Sequence, residues 1–181
     1  MAADEEILKE LIAMERAMKT GPTPGETSAR VAPLAKELSV LLADSFSLYH
    51  EAHGFHWNVK GPDFAQYHDL FAEIYSDLYS SVDDLAENIL KLGYDAPFHL
   101  SRFVSMRTID ETDPEDTPAS MAMELLKGIN QLIASLKSAF ITADSLDEQG
   151  IADFIAGRID STQKWAWQLR ASLGLQKPNR F

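Results

Sequence analysis

Long helical patterns, and the breaks that separate them, constrain this chain more than any other feature. Apolar residues recur at three- and four-residue steps over about 28–56 (Val31, Leu34, Leu38, Leu41, Leu42, Phe46, Leu48), then over about 64–92 (Tyr67, Leu70, Phe71, Ile74, Leu78, Val82, Leu85, Ile89). That period puts them on one side of an α-helix. Lys60-Gly61-Pro62-Asp63 separates the two patterns, and Gly93 stands where a glycine is expected just past a helix C-terminus. Thr117-Pro118 places a capping hydroxyl before a proline at the first helical position. It opens a third long helix lasting to about Ser145, and a fourth runs from about Gln149 to Leu173. Residues 93–118 hold three prolines, with Leu100–Met106 predicted as a short helix inside that connection. Connections of this length usually carry a function. Period-two alternation and an Asn-Gly hairpin turn are both missing, so strands are not expected.

Short links between helices one and two and between three and four, with a long link in the middle, describe an all-α four-helix bundle with one crossover. This is the ferritin-like layout. Ahead of it, Ile7, Leu8, Leu11, Ile12, Met14 and Met18 predict an amphipathic helix over about residues 3–19, closed by Gly21-Pro22-Thr23-Pro24-Gly25. The expected organisation is an N-terminal extension and linker over 1–25, the bundle over 26–174 and a C-terminal tail over 175–181. Periodicity alone serves a scaffold without chemistry equally well.

Composition removes several function classes. The 181 residues suit one domain and carry 16 Lys+Arg against 28 Asp+Glu, a formal net charge of −12. Neither that charge nor any run of basic residues suits a high-affinity nucleic-acid surface, which must neutralise phosphates. There is no cysteine, so disulfides and thiolate chemistry are excluded. The N-terminal residues do not read as a signal peptide, and no stretch of about 18 apolar residues suits a membrane span. A soluble cytoplasmic protein is therefore expected. The Gly-x-Ser-x-Gly elbow, the phosphate-cradling glycine loop and the dinucleotide fingerprint are all missing from the sequence.

What remains is a concentration of histidine, since His50, His53, His56 and His68 account for four of the five. Histidine beside carboxylate favours first-row divalent metals. An antiparallel hairpin brings His56, just before the break, towards His68, about one turn into the next helix. Asp83 and Glu87 follow on that second helix as an i,i+4 pair sharing one face. His68 and Asp83 stand 15 residues apart, about 22 Å along one helix. One subunit therefore cannot bring both to one metal. If all four are ligands, the two histidines of one subunit meet the two carboxylates of another, and twofold symmetry gives two equivalent sites. Taken singly, each residue also has an ordinary explanation: a hydrogen-bonded histidine, a solvated acidic face, and Trp57, Trp165 and Trp167 as core or interface aromatics.

The block His56-Trp57-Asn58-Val59-Lys60-Gly61-Pro62-Asp63-Phe64, the twelve-residue step to His68 and the ending Asp83-Asp84-Leu85-Ala86-Glu87 together resemble the Dps miniferritins. The likeness extends over about residues 30–173 and includes Trp167-Gln168-Leu169-Arg170-Ala171. It implies a hollow homo-dodecamer that oxidises Fe(II) with hydrogen peroxide or dioxygen at dimer-interface sites and stores the ferric mineral, protecting against oxidative stress. It assigns His56 and His68 to one subunit and Asp83 and Glu87 to its twofold mate, as the metal-binding and ferroxidase residues.

One position departs from the pattern. Where the family usually has an acid four residues after the second histidine, this chain has Ala72. Glu73 is rotated about 140° from His68 around the helix, which argues against simple replacement. His53 is the better substitute, one turn before His56, and a nitrogen-richer set moves the site towards zinc as a competitor or a histidine-rich iron site. The resemblance also places acidic pore residues near the fourth helix, at Asp144 and Asp153, with Gln149 where an acid is common and Asp147 and Glu148 open to either a pore or a turn reading. DNA binding is expected to be weak or absent, because residues 1–19 set Asp4, Glu5, Glu6, Glu10 and Glu15 against Lys9, Arg16 and Lys19. Two alternatives remain: a shell protein with impaired ferroxidase activity acting structurally or in DNA protection, and one with zinc held at the site.

Overall fold

The computed structural model describes residues 24–114 and 116–175, together with Lys9. Apart from Lys9, the amphipathic helix expected over 3–19 lies outside the described residues, as does nearly all of the 175–181 tail. Five helices and no strand occur among the described residues: α1 (Pro24–Asn58), α2 (Phe64–Lys91), α3 (Leu100–Met106), α4 (Pro118–Ser145) and α5 (Gln149–Ser172). The fold is the expected all-α bundle, with the short helix inside the crossover.

The first boundary differs from the sequence reading. Pro24-Gly25 belongs to the first turn of α1 rather than to the preceding break. Proline is tolerated there because the first amides of a helix have no intrahelical acceptor. Pro33, further along α1, removes one amide donor; the carbonyl it frees belongs to Ala29, an exposed residue. At α4 the expected cap is present: Thr117 accepts from the Ser120 amide at 3.1 Å, with Pro118 following.

Tyr67, Phe71, Ile74, Leu78, Ser81, Leu85 and Asn88 of α2 are buried at steps of four and three, a seam that packs along α1. Leu34, Leu38, Leu41, Leu42 and Leu48 of α1 meet it, and Leu125 and Ile129 of α4 close the core from the second hairpin. α4 pairs with α5 across a three-residue turn, and α1 packs on α4. Gly128 of α4 packs tightly against α1: a Cβ atom there would fall 2.5 Å from Leu48 Cδ2.

Two polar ties hold this arrangement, and neither is evident from hydropathy. Asp44, fully buried on α1, accepts from Thr108 N at 2.6 Å, Thr108 Oγ1 at 2.8 Å and Ile109 N at 3.3 Å. It pins the far end of the crossover. Burial raises its pKa above the usual carboxylate value, against the lowering effect of those hydrogen bonds. Asp77 of α2 accepts from Arg158 Nη1 at 3.0 Å, Arg158 Nη2 at 2.9 Å and Trp165 Nε1 at 2.8 Å, tying α2 to α5. Burial pushes its carboxyl up, but the bidentate Arg158 and then Trp165 outweigh it and hold the pKa below the ordinary value.

Candidate metal centre at the α1–α2 turn

The sequence block from His56 to Phe64 forms a tight helical hairpin between α1 and α2. Val59 is buried at the foot of the turn and donates its amide to Phe55 O at 2.8 Å, and Asn58 Nδ2 donates to Gly54 O at 2.8 Å. Gly61 takes φ 108°, a conformation that side chains with a Cβ rarely adopt. Phe64 N then donates to Gly61 O at 3.1 Å and α2 begins. The result faces the last turn of α1 against the first turns of α2.

There His56 and His68 meet. Their rings lie 3.7 Å apart between centroids and are inclined by only 23°. His56 Nδ1 donates to the backbone carbonyl of His68 at 2.8 Å, and His68 Nδ1 donates to that of His56 at 2.9 Å. A carbonyl oxygen can only accept, so both Nδ1 atoms carry hydrogen, and the neutral form of either ring has its lone pair on Nε2. Backbone acceptors that fix the tautomer in this way are a common support of metal-binding histidines. Phe64 stacks on the outer face of His68 at 4.9 Å.

His53 lies beside this pair, with its ring 6.2 Å from that of His56. Tyr75 stacks on it at 4.2 Å and Trp57 leans against it at 4.2 Å. Burial, then the neighbouring His56 and His50, hold its pKa below the ordinary imidazole value.

Asp83 and Glu87 are exposed on α2, which runs unbroken between them and His68. The structure therefore brings the two histidines together and leaves the carboxylates of Asp83 and Glu87 about 22 and 28 Å along the helix from His68. Among the described residues no group of three or more His, Asp or Glu side chains is disposed to hold a metal within one chain. Ala72 is half-buried one turn past His68, and Glu73 is exposed. Asp144 and Asp153 are exposed on α4 and α5, respectively. Asp147 forms the turn between those helices with φ 58°, and Glu148 pairs with Arg30, whose Nη1 also donates to Leu146 O at 2.8 Å. Of the tryptophans, Trp165 is in the core, while Trp57 and Trp167 are 61% and 50% exposed.

Sequence reasoning missed an aromatic cluster next to the histidines. Tyr49 contacts His53, Tyr75 and Tyr79. The signal was available as spacing: Tyr49 precedes His56 by seven residues and Tyr75 follows His68 by seven, two turns in each case and hence the same faces. Glu51 was missed as well. It lines a cavity of about 200 Å³ with Thr108, Glu124 and Gly128, and its carboxyl is pushed up to about 7 by burial, then by the charges of Glu111 and Glu124.

Comparison with known proteins extends the likeness beyond the motif. Residues 35–177 match the family described as ferritin, ferritin-like domain. DNA protection during starvation protein 2 of Bacillus anthracis is 30% identical over 136 residues, which cover 75% of this chain and 93% of the relative. The DNA protection during starvation protein of Brevibacillus brevis is 32% identical over 70% of this chain and 85% of its own length. Among solved structures, the Dps protein of Vibrio cholerae O1, described as a member of a broad superfamily of ferritin-like diiron-carboxylate proteins, superposes with a TM-score of 0.77. It shares 29% identity, over 81% of this chain and 92% of that one. A Dps protein from Bacillus brevis gives 0.77 at 30% identity, over 80% and 97% of the two chains.

Proposed function

This chain belongs to the Dps family of ferritin-like proteins, and on that basis we propose that it oxidises Fe(II) with hydrogen peroxide or dioxygen at sites shared between two subunits and stores the ferric mineral in a hollow homo-dodecamer. Fe(II) is the substrate here, and the cytoplasm is the proposed compartment. Among the described residues, no helix is long and apolar enough to cross a membrane. The observation that carries the reading is the reciprocal pair of bonds from each histidine Nδ1 to the other's backbone carbonyl. It dedicates the Nε2 lone pairs of His56 and His68 to a cation.

Two imidazoles leave a first-row divalent ion short of ligands, and carboxylates suit the remaining positions. Asp83 and Glu87 of a second copy supply them in this reading, since α2 holds its own pair out of reach. Fe(II) then loses an electron to the oxidant, and the ferric product moves inward. Asp144 and Asp153 serve as acidic stations on the entry path, where negative charge raises the local cation concentration.

Ala72 favours one second reading, that the site prefers Zn(II). The acid expected there would have added oxygen, and His53 adds nitrogen instead. Metal analysis of the protein as purified separates zinc from iron. Substituting His53 by Ala lowers metal occupancy if it is a ligand, and unchanged occupancy removes it from the set.

The test of the main reading is anaerobic loading with Fe(II), addition of peroxide or dioxygen in parallel, and size exclusion with iron and protein recorded together. Iron eluting with a shell of twelve subunits, oxidised faster than in protein-free buffer, is expected. An intact shell without iron refutes storage and leaves a structural shell. The proteins named for DNA protection notwithstanding, plasmid DNA at physiological salt without added divalent cation is expected to migrate unretarded, because the net charge of −12 repels phosphate.

A further inference from the structure

We propose that the amphipathic segment over residues 3–19 folds back along α1 and covers the groove between α1 and α4 of its own chain. The groove has a volume of about 360 Å³ and is lined by Pro33, Lys36, Glu37 and Val40 of α1 and by Ser135 and Ser138 of α4. Pro33 is exposed, and Ile141, one turn beyond Ser138 on α4, leaves 67% of its surface open. An apolar strip bordered by polar residues is the kind of surface that takes the apolar face of another helix. It also holds an unmet acceptor. Glu37 Oε1 accepts from Ser138 Oγ at 3.2 Å, whereas the buried Oε2 has no hydrogen-bond partner among the described residues. The groove lies towards the opposite end of α1 from His56, and the oxidation of Fe(II) makes no use of it.

Length and register select the occupant. As a helix, residues 3–19 extend about 25 Å, and Pro33 to Val40 lie about 14 to 24 Å along α1 from Pro24. Residues 20–23 remain as the link, a usual length for two antiparallel helices. Laid antiparallel to α1, the segment brings Leu11, Leu8 and Ile7 level with the stretch from Ala32 to Lys36. Ile7, Leu8, Leu11, Met14 and Met18 share an arc about 120° wide, the stripe of a helix that packs on one surface. Lys9 stands about 160° round from Leu11 and is helical and exposed, as the outer side of a docked segment must be.

Charge points the same way. Lys36 lines the groove and Lys137 stands next to Ser138, and neither has an acidic partner among the described residues. The segment brings Asp4, Glu5, Glu6, Glu10 and Glu15 against Lys9, Arg16 and Lys19. Its first-turn amides, which have no acceptor within the helix, arrive level with Glu37 to Val40, where the unpaired Oε2 can accept. A short tether holds the segment beside its own groove at an effective concentration of about millimolar, ahead of a separate partner. Docked there it is part of the bundle wall rather than a free arm.

The chain has no cysteine, so paired cysteines report the contact without background. In the full-length protein, Leu11→Cys with Pro33→Cys is expected to join within one chain under a short bifunctional maleimide, giving a monomer band on a denaturing gel and a linked peptide pair by mass spectrometry. Lys9→Cys with Pro33→Cys, which starts from the far side of the segment, is expected to link at least fivefold less. Equal yields, or no link in either, overturn the proposal. A linked dimer band also overturns it and assigns the groove to the segment of a second copy. Tryptic cleavage after Arg16 reads the same contact without a cross-linker. Leu8→Asp/Leu11→Asp, and separately Ser138→Arg, which fills the groove from an exposed position and offers Glu37 a donor, are each expected to speed that cut at least fivefold. One change lies outside the folded bundle and the other on its surface, so a shared effect reports release rather than misfolding. A wild-type cleavage rate in either refutes the docking. Neither readout involves iron, so failure here leaves Fe(II) oxidation standing.

Discussion

Glu51 offers a test of the electrostatics that needs no metal. Its half-buried carboxyl shares a cavity with Glu124 of α4 and feels Glu111 of the crossover, opposed only by Arg107; Lys127 is occupied by Glu124. Folding therefore raises its pKa from 4.5 to about 7. The native state holds the proton more tightly than the unfolded chain, so this group makes stability fall as pH rises from about 4.5 to 7, with the full cost present above that range. At about 1.4 kcal/mol for each pH unit the cost is at most roughly 3.5 kcal/mol, and water at the open side of the cavity reduces it to about 2 kcal/mol. Glu51→Gln keeps the shape and removes the charge. The variant should exceed wild type at pH 8 by about 4–8 °C in thermal midpoint, since about 1 kcal/mol corresponds to 2–4 °C in a domain of this size. The gain should shrink to below about 1 kcal/mol at pH 5, where folded Glu51 is already neutral. Unfolding curves at pH 5, 6, 7 and 8 measure this directly. A difference that is flat with pH, or a variant less stable at pH 8, would refute the assignment.

Three further outcomes follow from the packing. Asp77→Ala strips the acceptor from Arg158, whose side chain is 13% exposed, and from Trp165 Nε1; a loss of about 3–5 kcal/mol is expected in urea denaturation. Adding Arg158→Met should recover part of it, and a double variant no more stable than the single one contradicts the unpaired-charge explanation. Gly128→Val drives a side chain into buried Leu48, and about 3 kcal/mol of destabilisation is expected from overpacking in the same assay. Thr117→Ala removes the α4 cap at Ser120 N and should cost about 1 kcal/mol, read as a lower urea midpoint with unchanged slope.

The bundle was legible because its cues are local. Heptad-like steps on α2, the glycine and proline breaks, and the Thr117-Pro118 start depend on neighbours within one or two turns, and their periods predict the helices closely. Where a boundary moved, at Pro24, a residue read as a breaker is also a favoured first helical residue, and sequence does not choose between the two. The motif from His56 to Glu87 was readable for the same reason, and helix length alone separated its histidines from its carboxylates. What sequence could not show was orientation across the hairpin. The tautomers of His56 and His68 depend on carbonyls twelve residues away. Asp44 reaches amides 64 and 65 residues distant, and Asp77 meets Arg158 and Trp165 81 and 88 residues on. Glu51 acquires its raised pKa only when the crossover and α4 close over it. Local chemistry determines which segments coil and which faces are apolar, because backbone hydrogen bonding and side-chain periodicity act over a few residues. Charge, tautomer and ring contact are decided by tertiary structure, because desolvation and Coulomb interactions depend on which distant groups arrive.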